Sequence, residues 1–324
     1  MYTVPFKEAA APFDDEALVT VALSQPVPSP ESSPPGHCAQ ALINDHQSQK
    51  IDVLLIQEPS ITAYRTHVNH SAWRLYQPTV ESDSVRYRSL IYVNRKLSTS
   101  SHRQVRCNHP DLTAIKVWTA DSQILIFSVY IPPVPMHTPD GASAEATLSA
   151  IHDTIQNVTR DDSRTFSLIL AGDFNRHHPA WGSNHIQPRF IEDAGELINF
   201  FHDYGLQSCL PRGTATFWSL SHPGRSSTID QTVANRPDLL NKCHLYHDNY
   251  GSDHRATYSE WYLQARRNPT TKLRKSHDRA DWEKIGRRSR TSSSDPGARL
   301  YRGARHSQGL IRTTANAIDK HTPI

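Results

Sequence analysis

The sequence predicts an α/β or α+β sandwich of two facing sheets, and three observations carry that prediction. Apolar runs of strand length recur between residues 51 and 263. Two longer segments among them carry helical periodicity. Acidic and amide residues directly follow several of the apolar runs, as loops gathered at one end of the strands would.

The elements follow in order. Leu18 to Leu23 is a strand candidate. Pro26, Pro28, Pro30, Pro34 and Pro35 behind it exclude a helix and read as linker. Residues 1–36 are therefore expected to be a divergent or disordered N-terminal segment. Cys38 to His46 has helical character, and Ile51 to Ile56 is a short buried strand. Val85–Val93, Leu112–Thr119 and Ile124–Tyr130 read as strands, the last ended by Pro132-Pro133. In Ala142–Val158 the residues Ala146, Leu148, Ile151, Ile155 and Val158 stand close to helical spacing, which predicts an amphipathic helix. Ser167–Ala171 is a strand running into Gly172. A second helix is predicted over Phe190–Tyr204, with Gly205 ending it. Thr214–Phe217, Thr228–Ala234, His244–His247 and Arg255–Leu263 are the remaining extended segments. The compact domain is expected over residues 37–263, followed by a basic tail over 264–324.

The 324 residues, 37% of them hydrophobic, suffice for one large domain with tails or for two small domains. The net charge of +3 hides an asymmetry: residues 264–324 carry 15 Lys/Arg against 5 Asp/Glu, a net +10 that leaves −7 for residues 1–263. An acidic body suits a site that gathers cations. A basic tail suits a polyanion, although a solvated tail would look the same. Cys38, Cys107, Cys209 and Cys243 are far apart and form no C-x-x-C pair, which excludes a disulfide framework or zinc knuckle. Reduced thiols in the nucleus or cytoplasm are expected. The opening residues show no secretory signal, and no apolar run is long enough to span a membrane.

Four clusters carry the chemistry: Gln57-Glu58-Pro59, Gly172-Asp173-Phe174-Asn175, Ser227-Thr228-Ile229-Asp230 and Ser252-Asp253-His254. A carboxylate held at a strand end, as Glu58 is, can bind a hard cation such as Mg²⁺. Asp173 and Asn175 at i and i+2 point to one face, where a carboxylate can orient or deprotonate a water. The Asn175 amide can contact a phosphate oxygen. Adjacent strand residues face opposite ways, so the natural partner for His254 is Asp230 rather than Asp253. Asp253 could then bind metal or hold the Asp173–Asn175 loop. Each cluster alone has a bland alternative: a solvent-facing Glu, a polar turn, or surface decoration by one of 19 histidines. Their shared order decides for a phosphodiesterase.

Read together, these blocks resemble the signature of the endonuclease/exonuclease/phosphatase superfamily: Gln-Glu, then Gly-Asp-Phe-Asn, then Ile-Asp, then Ser-Asp-His. The resemblance covers about residues 40–263. It implies a four-layered α/β sandwich of two facing sheets flanked by helices, and Mg²⁺- or Mn²⁺-dependent phosphoester hydrolysis. It places Glu58 and Asp253 at the metal and Asp173, Asn175, Asp230 and His254 in catalysis. It places Tyr130, Asn175, Arg176 and His178 at the substrate. The family's first strand ends in an Asn, and no Asn precedes Asn44 here. The Asn175–Gly182 loop resembles that of endonuclease domains of non-LTR retrotransposons, in which His177, His178 and Trp181 fix loop shape. Arg279–Lys284 resembles the basic segment leading toward a reverse transcriptase, which would be encoded elsewhere. The expected substrate is DNA, nicked on one strand. A catalytically inactive nucleic-acid-binding relic and a small-molecule or lipid phosphodiesterase are the alternatives within the same fold.

Overall fold

A computed structural model describes residues 17–24, 37–59, 70–80, 86–119, 122–134, 143–160, 166–183, 186–219, 221–222 and 224–268. In chain order the elements are β1 (Leu18–Ser24), α1 (His37–Asn44), β2 (Val53–Gln57), β3 (Trp73–Tyr76), β4 (Ser89–Asn94), β5 (His102–Val105) and β6 (Leu112–Trp118). Then come β7 (Gln123–Tyr130), α2 (Ala144–Arg160), β8 (Phe166–Asp173), α3 (Pro188–Asp193) and α4 (Gly195–Asp203). The last are β9 (Gln207–Ser208), β10 (Phe217–Trp218), β11 (Ser226–Ser227), β12 (Asp230–Ala234), β13 (Leu240–Leu245) and β14 (Thr257–Trp261).

Two six-stranded sheets form, in the orders β13-β14-β1-β2-β4-β3 and β5-β6-β7-β8-β12-β9, with β10-β11 as a separate hairpin. Each sheet holds one parallel pair near its centre, β1 with β2 and β7 with β8, and every other pairing is antiparallel. The near-continuous apolar runs of these strands follow, because both faces of each sheet are covered. Between the sheets, Val53, Leu55 and Ile91 of the first pack with Ile124, Ile126 and Ile169 of the second. On the outer face of the second sheet, Phe127 and Leu170 meet Leu148 and Ile151 of α2 and Leu197 and Phe201 of α4. On the outer face of the first, Val21, Leu54 and Ile56 meet Leu42 and Ile43 of α1. This is the four-layered sandwich expected from the resemblance.

Three expectations change. Leu18–Ser24, assigned to a separate N-terminal segment, is an inner strand of the first sheet, paired with both β14 and β2. Gln264–Asn268, assigned to the tail, packs on the domain. Arg267 bridges to Leu97, Ala265 bridges to Thr119, and the Arg267 guanidinium pairs with buried Asp52 at 2.7 Å. The helix predicted over Phe190–Tyr204 is two helices, broken at Ala194 (φ −90°, ψ −2°), next to Gly195, which has little helical propensity. Residues 1–16, 25–36 and 269–324 lie outside the described residues, and with them the Arg279–Lys284 segment. Among the described residues no helix is long and apolar enough to cross a membrane.

Candidate active site

The two parallel pairs end at a common rim. In the second sheet β7 and β8 run in register until Tyr130 stands opposite Asp173. In the first, β1 and β2 run in register until Ser24 stands opposite Gln57, and Glu58 follows. Asp230 pairs with Asp173 across the antiparallel β8–β12 ladder, which puts two acidic residues side by side. His254 arrives on the segment just before β14.

Gly172 makes this convergence possible. Its φ is +147°, and a Cβ there would lie 2.0 Å from the Val129 carbonyl oxygen and 2.9 Å from the Gln57 side chain. The Gln57 amide crosses that gap and donates to Ser128 Oγ at 2.8 Å, tying the first sheet to the second beneath the site. Glu58 has φ 49° and Asn175 φ 46°, a left-handed backbone that Asn tolerates and Glu rarely adopts. At Glu58 that conformation stores strain next to the site.

Asp173 is buried. It accepts the Asn175 backbone N–H at 2.9 Å and the Asn175 side-chain amide at 2.7 Å. The same amide nitrogen donates to the Ile131 carbonyl at 3.0 Å. Both amide hydrogens of Asn175 are thus spent, and Oδ1 remains to meet a ligand. His254 Nδ1 donates to Asp230, 3.0 Å from each carboxylate oxygen, which leaves Nε2 to face a ligand. The Asp230 and Ile229 backbone N–H groups donate to Thr216 Oγ1 at 3.0 and 3.1 Å. The Phe217 ring packs on His254 with centroids 4.9 Å apart.

Burial raises the Asp173 carboxyl well above the ordinary range, the Asp230 charge adds to this, and His254 opposes it. Burial also raises Glu58, against the Tyr130 hydroxyl that donates to it and the charges of His254, Arg86 and Arg88. Burial alone would pull the His254 imidazolium down, but Asp230, with Asp173 and Asp253 behind it, pushes it up to about 10. The Tyr130 hydroxyl is raised far above its usual range by burial and by Glu58 and Asp173.

These residues fit a hard divalent cation. One ligand atom each from Asp173, Asp230 and His254 lies within 4.8 Å of the others, but the Asp230 carboxylate and His254 Nδ1 are spent on each other, so a cation here would draw on the neighbouring carboxylates. Asp253 Oδ1 is buried without a hydrogen-bond partner. Asp173 and Glu58 are carboxyls that burial makes costly to charge, and a cation would offset that cost.

The structure thus brings Glu58, Tyr130, Asp173, Asn175, Asp230 and His254 together. Arg176 is a correction: it turns inward, 5% exposed, and donates to the carbonyls of Pro132, Asn175 and Asp193, so it clamps the loop instead of facing substrate. His178 Nδ1 accepts the Ala180 N–H at 3.1 Å, and its ring lies 5.2 Å from that of Trp181, itself 2% exposed. From the sequence Ser24 is only a poor stand-in for the Asn that ends the superfamily's first strand, and Thr216 carries no site assignment. Ser24 Oγ donates to Asp230 Oδ1 at 2.9 Å. A single hydroxyl at a strand end gives only a faint sequence signal.

Comparison with known proteins bears on the fold. Residues 124–258 match a family model described as endonuclease-reverse transcriptase. The endonuclease domain of TRAS1, a telomere-specific non-LTR retrotransposon, superimposes with TM-score 0.57 at 19% identity, over 76% of this chain and 99% of that one. The AP endonuclease LMAP of Leishmania major gives 0.58 at 15% identity, over 82% and 93%. The catalytic domain of Xenopus laevis APE2 gives 0.55 at 13% identity, over 78% and 94%. No curated protein matches the sequence. The chain has the endonuclease/exonuclease/phosphatase fold. Within that class it resembles the retrotransposon endonucleases, through the family model over residues 124–258 and the TRAS1 neighbour.

Proposed function

We propose that the protein is a metal-dependent phosphodiesterase that nicks one strand of DNA, of the retrotransposon type. The observation that carries this reading is the convergence of Asp173, Asn175, Asp230 and His254 with Glu58 where the strand pairs of both sheets end. Asn175 fixes the Asp173 carboxylate, which orients and deprotonates the attacking water. The His254 imidazolium, held by Asp230, faces the scissile phosphate with Nε2 and stabilises charge that grows on its oxygens. Tyr130 holds Glu58 in place. Mg²⁺ or Mn²⁺, bound by Glu58 and Asp253, would supply Lewis-acid neutralisation of the phosphate. Supercoiled plasmid tests this. Wild type should yield open circles only when the divalent ion is present, and Asp173→Ala should yield none. An equal background from both proteins sinks the hydrolase reading.

One observation favours a second reading. The end of β1 carries Ser24 where the resemblance calls for Asn, so a bound cation would have one amide ligand fewer. A fold-retaining relic would bind DNA through the basic residues 269–324, with steep salt dependence and no nicking. Binding lost on removing those residues, with no open circles from the intact chain, would select it.

A further inference from the structure

We propose that Ser24 is a positioning residue for the Asp230–His254 pair. The Asp230 carboxylate sits 3.0 Å from His254 Nδ1 through either oxygen, so the imidazole alone does not choose between its rotations. Ser24 Oγ makes that choice by donating to Oδ1 at 2.9 Å. The hydroxyl has one hydrogen to give, and Gln57 Oε1 lies farther off at 3.4 Å, so the proton belongs to Asp230. Ser24 also reaches the other partner through Ser252. Its carbonyl accepts from Ser252 Oγ at 2.7 Å, and Ser252 Oγ accepts the His254 backbone N–H at 3.1 Å. The four residues close a ring, from Ser24 to Asp230, His254, Ser252 and back to Ser24. Asp230 stands on the second sheet, Ser24 on the first, and His254 on the segment leading into β14, so the ring fixes the pair across the sandwich. Ser24 is 1% exposed, and its hydroxyl is committed within the ring. Hydrogen bonds to charged groups are the stronger kind, and a buried one sets orientation as well as energy.

The kinetic consequence rests on the hydrolase reading, whereas the structural one does not. The first measurement is therefore the Nδ1–H proton signal of His254 in the full-length, metal-free protein, assigned by its loss in His254→Gln. In Ser24→Ala that proton should exchange with water about tenfold faster, as expected for one lost hydrogen bond worth a factor of ten. Ser24→Asn, which restores an N–H donor, should return it toward wild type. In single-turnover nicking, Ser24→Ala should lower kcat about tenfold and leave KM for plasmid unchanged. An unaltered Nδ1–H signal in Ser24→Ala overturns the proposal. So does a parallel fall in kcat, substrate binding and thermal midpoint that Ser24→Asn fails to reverse, since that is a packing defect. Should Ser24→Ala not fold, Ser24→Cys gives the same comparison with a weaker donor of similar size. Should wild type not nick DNA at all, the proton signal still decides, and the two failures stay separate.

Discussion

The two parallel strand pairs are built alike and end differently. β7–β8 delivers Tyr130 and Asp173 to the rim, with Asp230 beside Asp173 on β12 and Asn175 folded back as a clamp. β1–β2 delivers Ser24 and Gln57, and only then Glu58 in a strained left-handed turn. The β7–β8 pair and its neighbour β12 therefore bring together two buried acidic groups and the Asn175 that clamps one of them. The β1–β2 pair brings one carboxylate, Glu58, and spends Ser24 and Gln57 on cross-links to Asp230 and Ser128, while Asp253 and His254 reach the rim on the segment before β14 of the same sheet. The family model begins at residue 124 and so covers the second pair and not the first. The pair in the second sheet thus ends in acidic groups, whereas the pair in the first ends in Ser24 and Gln57, which tie the two sheets together.

The sharpest way to break this contrast is at Asp173. Burial and the neighbouring Asp230 charge hold its carboxyl well above the ordinary range. A carboxyl raised on folding favours the folded state only below its unfolded pKa near 4 and costs stability above it. Asp173→Asn should therefore cut nicking by about 10³-fold or more and yet raise the thermal midpoint of the metal-free protein at pH 7. A gain of about 2–4 °C accompanies each kcal/mol relieved in a domain of this size. A lowered midpoint would show that the charge is already compensated and that the second half is less poised than its geometry implies.

The far end of the β1–β2 pair supplies the next test. Asp52 precedes β2 and is fully buried, and its carboxylate is met by Arg267 at 2.7 and 3.0 Å and by the Val19 N–H at 3.0 Å. Arg267→Ala leaves that carboxylate buried and unpaired. The expected cost is about 3 kcal/mol in urea unfolding, and Asp52→Asn in the same background should recover part of it. A loss under about 0.5 kcal/mol would return residues 264–268 to the tail. Glu58→Gln comes third. It should raise the Mg²⁺ concentration for half-maximal nicking by at least about tenfold, with plasmid affinity in EDTA unchanged. An unchanged Mg²⁺ requirement would move cation binding to the second sheet and remove the division between the halves.

Much of this was legible beforehand. Strand-length apolar runs located β2, β6, β7 and β8 because these strands are covered on both faces and cannot alternate. The motif residues Glu58, Asp173, Asn175, Asp230 and His254 were named from order alone, and the structure gathers them. What stayed hidden has physical causes. β3 and β5 are edge strands, Trp-Arg-Leu-Tyr and His-Arg-Gln-Val, whose polar composition suits one solvated side and lacks a strand signature. β1 was discounted because the prolines behind it spoke for linker, and its pairing partner β14 lies more than 230 residues away. Arg176 is placed at the substrate by the resemblance of its loop. Only coordinates reveal three carbonyls turned toward it. Asn175 looked like a phosphate donor until both its hydrogens were found occupied.

The smallest effect concerns how the halves are joined at the edge formed by β3 and β5. There His102 of β5 meets β3 of the other sheet: Tyr76 O–H lies 3.0 Å from Nδ1 and Arg74 Nη1 lies 3.3 Å from Nε2. Nε2 must accept from the guanidinium, which has no acceptor to offer, so the ring is neutral and Nδ1–H points to the Tyr76 oxygen. Burial, and then the Arg74 charge, push His102 down to about 4. An unfolded histidine titrates near 6.5, so between about 6.5 and about 4 the unfolded chain takes up a proton that the folded one refuses. Stability from this group is whole above that window and is lost as pH falls through it, by about 1–2 kcal/mol once solvent screening at an edge strand is allowed for. Carboxylates elsewhere titrate at the lower end of the same range, so the informative quantity is a difference of slopes. Unfolding free energy plotted against pH from 7 to 4 should fall less steeply for His102→Phe than for wild type, although the variant starts lower for want of the Tyr76 and Arg74 contacts. Parallel curves would mean that His102 takes its proton without parting the sheets, and that the two halves are held at that edge by packing alone.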